Sequence, residues 1–575
     1  MQEHLKTRDY QIKKLDEFLF SVFPELKKGV PPIFSVFWGK LWLALDVPKV
    51  YLFILTKVFE SERFSRVKIV VDSEVTFRNS FDFYLTEEPL LANILELMQK
   101  PFAFNLQIIK SNSKLKRRKK SKVTIKNWLN KIFLHFKYRG PGEVFFQIKN
   151  KLCKSGFCGN IEDFIPGRGE ESNQPQILSV QCQEFEVLED YFSKVGWRVS
   201  RFDFRKFENF SRKKPFNPLI LLNELKKNKD LIALFNYKNA NYFSISFHRL
   251  SAFIYRFEEY FSLFFSLEKF IQEEKYNLVL FDSLTPISSP IKSILAFICL
   301  RKKIPYICWM HGGFGAYSTR PVCADFPLAH HYFVYGKKVK ERLTRLESDA
   351  DLHVAGSPQL EKFFASYRKP KNLKKNILFC LPHPDLHNNL NFINSYPNYH
   401  FSYIPTILKI FQILLGFQDR YKITVKLAGD SFLSLFKKVK KNLGANFKLI
   451  GSEIAFHYLL NYADLVILTW ISTSFWQSAC TDADIFVLDE GKLTSEATTA
   501  IKDRAYLFDN FSTFQKGLKT YLKKGRFSQK KGNKFIREFL DFDSYENRCK
   551  KIHELLLAIL HNPGEKKEIG SLQKY

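Results

Sequence analysis

The sequence lacks the long apolar runs and the leader segment that would place a protein in a membrane. The longest apolar stretches, near 293–300 and 403–417, are too short or too interrupted for a span of about 20 residues. The first residues are charged and carry no apolar signal-peptide core. We therefore predict a cytoplasmic protein, soluble or peripheral at the inner face of the cytoplasmic membrane.

Cysteine is present but in a pattern that supports neither a disulfide framework nor a zinc site. The nine cysteines are odd in number and scattered, and several lie inside apolar runs, where cysteine behaves as a small core residue. A structural zinc site needs four ligands at compatible spacing, and these spacings do not supply them. The pattern predicts a reducing compartment and no metal.

Three common site motifs are also missing. There is no GxxxxGK[ST] loop, HGGFG at 311–315 differs from the GxGxxG fingerprint, and no GxSxG elbow occurs. These absences argue against a P-loop NTPase, a GxGxxG dinucleotide site and a nucleophile-elbow hydrolase.

Positive charge is abundant. The 575 residues carry 89 Lys and Arg against 58 Asp and Glu, a formal net charge of +31, and 60 residues are Phe. A basic surface attracts nucleic acid, anionic lipid or phosphates, although AT-rich coding would enrich Lys, Asn, Ile and Phe together. The length predicts two or three domains.

A basic amphipathic segment covers 111–139. Lys and Arg crowd the part around 114–121, and Trp128, Leu129, Ile132, Phe133 and Phe136 follow at helical spacing. Such a helix at 114–137 lies on an anionic membrane surface or packs its apolar side on the core.

Short apolar runs alternate with helical segments in two series, which predicts an α/β fold with two Rossmann-like domains facing across a cleft. The predicted division is a helical segment at 1–65, a Rossmann-like domain at 66–355 with the basic insertion, a second at 356–525, and a helical tail at 526–575.

Ligands of open α/β sheets bind beyond the carboxyl ends of the strands, so reactive residues there are candidates. His311 follows the strand IPYICWM beside two glycines. It is a candidate general base, or it only forms a hydrogen bond within its loop. His383 and Pro384 follow NILFCL, where an imidazole can donate to a phosphate.

Two further turns carry hydroxyl groups. Ser472, Thr473 and Ser474 begin a helix after DLVIL and supply anion-binding groups or plain N-caps. Gly356 and Ser357 form a Gly-Ser-Pro turn that would contact a ligand or serve as a hinge.

Four motifs follow one another along the chain: HGG after a strand, GSP between a strand and a helix, HP after a strand, and STS between a strand and a helix. This order resembles that of the GT-B glycosyltransferases. It is most similar to enzymes with CMP- or CDP-activated donors, such as capsule sialyl- and Kdo-type transferases and teichoic acid glycerophosphotransferases, over roughly 277–510. The N-terminal part is loosely similar to transferases of O-antigen gene clusters.

The resemblance implies an inverting, metal-independent transfer from a nucleotide-activated donor to a polysaccharide or lipid-linked acceptor, with no separate cofactor. The first domain would hold the acceptor, with His311 or Asp282 as base. The second would hold the donor, with His383 at the donor phosphate and Ser472, Thr473 and Ser474 at that phosphate or a donor carboxylate. Pro384, Gly356 and Ser357 are the other donor-binding candidates. The acidic motif of the sialyltransferases is not located, and Phe475, Trp476 and Gln477 stand where relatives carry a Glu.

The residues alone leave two other functions open. A non-catalytic scaffold of GT-B type in polysaccharide assembly would explain the missing acidic motif. A nucleic-acid-binding protein would explain the charge and bind in a salt-sensitive way, but no helix-turn-helix, zinc finger or RNP-type motif supports it, and we expect no nucleic-acid partner.

Overall fold

The structure is a computed structural model. It describes residues 2–23, 66–72, 105–111, a few single positions between 52 and 103, and 174–562 without 208–216, 238–239, 283–289, 311–328, 346–349, 368–374, 382–398, 428–445, 452–453, 470, 490–492 and 526–531. His311, His383, Pro384 and the basic segment 114–137 lie outside the described residues.

The first sheet has six parallel strands in the order β10-β9-β8-β7-β3-β4. The strands are β3 Gln176–Val180, β4 Arg198–Arg201, β7 Leu278–Phe281, β8 Tyr306–Trp309, β9 His331–Val334 and β10 Asp351–Val354. Every residue of β7, β8 and β9 is buried, as expected of a parallel sheet covered on both faces.

The second sheet also has six parallel strands, in the order β13-β12-β11-β14-β15-β16. They are β11 Asn376–Leu381, β12 Lys422–Leu427, β13 Phe447–Ile450, β14 Leu465–Leu468, β15 Asp484–Leu488 and β16 Tyr506–Phe508. The order is that of a doubly wound Rossmann sheet. The predicted class, α/β with two Rossmann-like domains, is confirmed; the short β16 was not predicted.

Helices separate the strands. They are α1 Gln2–Val22, α2 Gln183–Glu186, α3 Glu189–Lys194, α4 Pro218–Lys227, α5 Lys229–Ala233, α6 Phe243–Ile254, α7 Phe257–Glu274, α8 Pro290–Lys302, α9 Lys337–Thr344, α10 Pro358–Ser366, α11 Tyr399–Leu415, α12 Phe456–Leu460, α13 Thr473–Ala479, α14 Ser495–Arg504, α15 Phe511–Lys524 and α16 Tyr545–His561. Local chemistry sets several starts: Asn217 caps α4 and Ser357 caps α10, each before a proline at the first turn. Among the described helices, none has the length and apolar character that crossing a membrane requires.

Two small sheets lie beside the large ones. β1 Arg66–Asp72 pairs in parallel with β2 Asn105–Ser111, and β5 Asn236–Tyr237 pairs with β6 Ala240–Asn241 in an antiparallel hairpin. The VKIVVD strand was predicted, whereas its partner and the hairpin were not. Helix α1 packs on the helical layer of the first sheet, where Gln11 donates to the carbonyl of Leu234 at 2.6 Å.

The described C-terminal segment packs on the first half of the molecule. A π-helical turn, Ile536–Leu540, packs against α9, and α16 packs against α10. Trp197 donates from Nε1 to His553 Nε2 at 3.1 Å. β10 is the last strand of the first large sheet along the chain, and β11 is the first strand of the second. The domain boundary that the sequence predicts near residue 356 stays a prediction.

A buried ion pair holds α16, the C-terminal helix, against α10. The Arg548 guanidinium donates from Nε to Glu361 Oε1 at 3.0 Å and approaches the same oxygen with Nη2 at 2.9 Å. The side chains are 0% and 1% exposed. Burial raises the pKa of Glu361 to about 7, although Arg548 acts in the opposite direction. Gly356 has φ +68°, and a Cβ there would lie 2.3 Å from Arg548 Cζ, so glycine is required.

We expect Arg548→Met to lower the free energy of unfolding by about 3–5 kcal/mol, because the Glu361 carboxyl group would stay buried without the partner that offsets the cost of its burial. Arg537→Met is the matched control, since Arg537 is 71% exposed and its loss should change stability by less than about 0.5 kcal/mol. Urea unfolding followed by tryptophan fluorescence measures both. Equal effects of the two substitutions would contradict a stabilising role for the buried pair.

Candidate active site at the carboxyl edges of two parallel sheets

The second sheet has a topological switch point between β11 and β14. From β11 the chain adds β12 and β13 on one side and then returns to add β14, β15 and β16 on the other. The carboxyl edge at such a switch point is where open α/β sheets bind ligands. His383 and Pro384 follow β11 in the sequence, and Ser472, Thr473 and Ser474 follow β14.

Structure brings the Ser-Thr-Ser turn to the end of β11. Ser472 caps α13 and accepts from the backbone N–H of Ser474 at 3.3 Å. Ser474 Oγ lies 3.6 Å from Sγ of Cys380. All three turn residues are half-buried. Burial raises the pKa of the Cys380 thiol, so the thiol stays neutral near pH 7 and contributes no negative charge to this edge.

A buried lysine adds positive charge to the same edge. Lys426 lies near the end of β12, is buried, and donates to the carbonyls of Leu427 and Gly451. Its charge acts on Cys380 one strand away and opposes the rise in the pKa of that thiol. A cation held at a strand end favours a bound anion. Lys426 is one of many lysines, so the sequence alone does not reveal its position at this edge.

An acidic side chain holds the β14–α13 loop in place. Asp489 follows β15, is buried, and accepts from the backbone N–H of Ile471 at 3.3 Å. Charge-assisted hydrogen bonds of this kind fix the position of a loop. Asp489 therefore belongs to the residues that shape the Ser-Thr-Ser turn.

The first sheet has its own switch point between β3 and β7. Asp282 directly follows β7 and forms an ion pair with Lys292, which is buried in α8. Cys182 and Glu184 follow β3. Burial raises the pKa of Cys182 well above its usual range, the charges of Asp282 and Glu184 add to the rise, and Lys292 opposes it. Asp282 thus lies where the sequence predicted a reactive carboxylate, with an ammonium group already bound to it.

Ser357 and Gly356 are engaged by the protein. Ser357 donates to Glu184 Oε1 at 2.7 Å, and Tyr335 donates to the same oxygen at 2.8 Å. The backbone N–H of Gln359 donates to Glu184 Oε2 at 3.0 Å. Burial raises the pKa of Glu184, and these hydrogen bonds oppose the rise. In the structure Ser357 caps α10 and donates to Glu184, and donor binding by Gly356 and Ser357 stays a prediction.

The carboxyl edges of the two sheets approach each other. Tyr335 directly follows β9 of the first sheet, and Trp476 lies in α13, which follows β14 of the second. Their ring centroids are 5.3 Å apart in an edge-to-face arrangement, a favourable geometry for aromatic pairs. Asp282 and the Ser-Thr-Ser turn were predicted from separate halves of the chain. This contact joins the two sheet edges on which they lie.

Comparison with known proteins gives likeness in structure alone. No protein-family model matches the chain, and no curated protein matches it. The UDP-GlcNAc 2-epimerase of Methanocaldococcus jannaschii is 14% identical, with 67% of this chain and 99% of that one covered and a TM-score of 0.38. MnaA of S. aureus with UDP is 12% identical (68% and 97%, TM-score 0.43), and a glycosyltransferase of Rickettsia africae is 13% identical (68% and 100%, TM-score 0.38). Likeness of this strength assigns no activity to the chain.

We predict that Asp489→Asn weakens the β14–α13 loop. Replacing the charged acceptor by an amide should cost about 1–3 kcal/mol, because a buried hydrogen bond to a charged group is lost or weakened. The exposed Asp509→Asn is the control. Urea denaturation midpoints measure the difference, and hydrogen exchange at residue 471 should accelerate in the first variant only. Unchanged exchange there would show that Asp489 does not hold the loop.

Proposed function

We propose that the protein is a glycosyltransferase-type enzyme that moves a sugar or related group from a nucleotide-activated donor to a surface polysaccharide or its lipid-linked precursor. The observation that carries this proposal is the meeting of Ser472, Ser474, Cys380 and Lys426 at the switch point of the second sheet. The hydroxyls offer hydrogen-bond donors to a phosphate, and the nearby buried ammonium group of Lys426 adds positive charge.

In this proposal the nucleotide lies at the carboxyl edge of the second sheet. Ser472, Thr473 and Ser474 contact its phosphates or a donor carboxylate, and Lys426 contributes long-range charge. His383 and Pro384 shape the opposite side of the site. Gly356 and Ser357 border the site through the hydrogen bond to Glu184. The donor nucleotide is CMP- or CDP-linked, and the enzyme uses neither a metal nor a further cofactor.

The acceptor lies at the edge of the first sheet, and transfer is inverting. A base removes the proton from an acceptor hydroxyl, that oxygen attacks the donor carbon or phosphorus, and the bond to the nucleotide phosphate breaks. His311 is the preferred base, because Asp282 would first have to release Lys292. Positive groups near the Ser-Thr-Ser turn stabilise the leaving nucleotide.

The acceptor is held near a membrane. The basic segment 114–137 would bind an anionic lipid surface at the inner face of the cytoplasmic membrane and bring a lipid-linked acceptor close. The protein would remain cytoplasmic and peripheral, with no nucleic-acid partner.

We expect one of the nucleotides CMP, CDP, UDP, GDP or dTDP to raise the melting temperature, because a ligand that binds the native state stabilises it by mass action. Ser472→Ala should weaken that nucleotide's binding. Ser544→Ala is the matched control: both serines cap a helix, and both losses should cost about 0.5–2 kcal/mol of stability. Calorimetric titration of each variant separates binding from stability.

Two outcomes would contradict the proposal. Equal affinity of the two variants for the nucleotide would remove the site from the Ser-Thr-Ser turn. No stabilisation by any nucleotide at several millimolar would instead favour a non-catalytic scaffold.

Substitution of the candidate base tests catalysis. We expect His311→Ala to lower the rate of nucleotide release from the donor by a factor of about 10²–10⁴ while nucleotide affinity stays unchanged, and Asp282→Asn to have the smaller effect. Chromatography of the reacted donor measures release. A product that is an epimerised donor with no released nucleotide would replace transfer by epimerisation, and retained activity in both variants would exclude these bases.

A further inference from the structure

A cluster of imidazole and carboxylate groups lies at the amino edge of the first sheet, away from the candidate active site. His331 is the first residue of β9 and Asp351 the first of β10, and the two are partners in the strand register. His353 is two residues beyond Asp351, so it projects from the same face of β10. His330 directly precedes β9. Parallel pairing thus gathers four side chains with metal-binding groups from two strands.

The atoms are spaced as metal ligands are. His331 Nδ1 lies 3.3 Å from His353 Nε2 and 3.6 Å from Asp351 Oδ2. One ligand atom each from His330, His331 and Asp351 lie within 4.8 Å of one another. Tetrahedral zinc with bonds of about 2.0–2.1 Å separates its ligand atoms by about 3.4 Å. The first two distances are close to that separation.

The cluster is partly shielded from solvent. His331 is 2% exposed, His330 is half-buried and Asp351 is exposed. Imidazole nitrogens and a carboxylate oxygen are ligands that zinc accepts in proteins.

We propose that His330, His331 and Asp351 bind a divalent transition metal of the zinc type, with His353 or water in the fourth position. The metal would tie β9 to β10 at the edge of the sheet. It would stabilise the fold and take no part in transfer, because ligands that react in such sheets bind at the opposite, carboxyl edge. The sequence alone does not reveal the site, because its ligands come from two strands and only the register of the parallel pair brings His331 and Asp351 together.

The test uses Zn²⁺ alone with the full, tag-free chain after chelator treatment. We expect the wild type to bind one Zn²⁺ per chain and to gain melting temperature. Asp351→Asn and His330→Gln should each lower the affinity at least about tenfold. Asp351 is 56% exposed and His330 is half-buried, so both variants should fold, which circular dichroism checks. Asp419→Asn and His561→Gln are exposed controls and should bind as the wild type does.

Substitution with Co²⁺ identifies the ligands independently of affinity. The proposal predicts visible d–d bands of a nitrogen and oxygen site without thiolate charge-transfer bands. Thiolate bands, or equal Zn²⁺ affinity in all four variants, would move the metal to the cysteines and overturn the proposal. Absence of Zn²⁺ binding would overturn it as well, leaving a hydrogen-bonded histidine pair. Nucleotide binding is expected to be unchanged in all four variants. Failure of the metal proposal can therefore be told apart from failure of the proposed function.

Discussion

The arrangement of the two halves depends on one buried charge pair. Arg548, on the last helix, fills the space beside Gly356 and binds Glu361 on α10. A buried guanidinium needs partners for its charge, and Arg548 finds them in Glu361 and in Asp541, which precedes the helix. The turn that begins α10 is also the turn where the chain leaves the first sheet for the second. The last helix therefore fixes the geometry of the crossing.

The crossing in turn positions the two sheet edges. Glu184 follows β3 of the first sheet and accepts from Ser357 at the crossing and from Tyr335 after β9. Tyr335 packs on Trp476 in the helix that begins with the Ser-Thr-Ser turn. A chain of direct contacts thus connects the buried ion pair to the proposed donor site.

The sequence predicted the sheets better than it predicted the contacts. Buried parallel strands read as short apolar runs, so NILFCL and DLVIL were found to within a residue. Residues at strand ends, such as Asp282 and Ser472, could be proposed because topology places strand ends at one edge. The roles of Arg548 and Lys426 could not be predicted, because nothing in the sequence distinguishes a buried arginine or lysine from the other members of the 89 basic residues. The pairing of His331 with Asp351 depends on strand register, which a single sequence does not reveal.

The most direct test of the account locates a bound nucleotide on the chain. Hydrogen–deuterium exchange with and without the stabilising nucleotide measures this without substitutions. The account predicts slower exchange at the described amides 471–480, which follow β14, and little change at the amino ends of β9 and β10. Protection confined to the amino edge or to the helical layer of the first sheet, with none in 471–480, would contradict a donor site at the switch point of the second sheet.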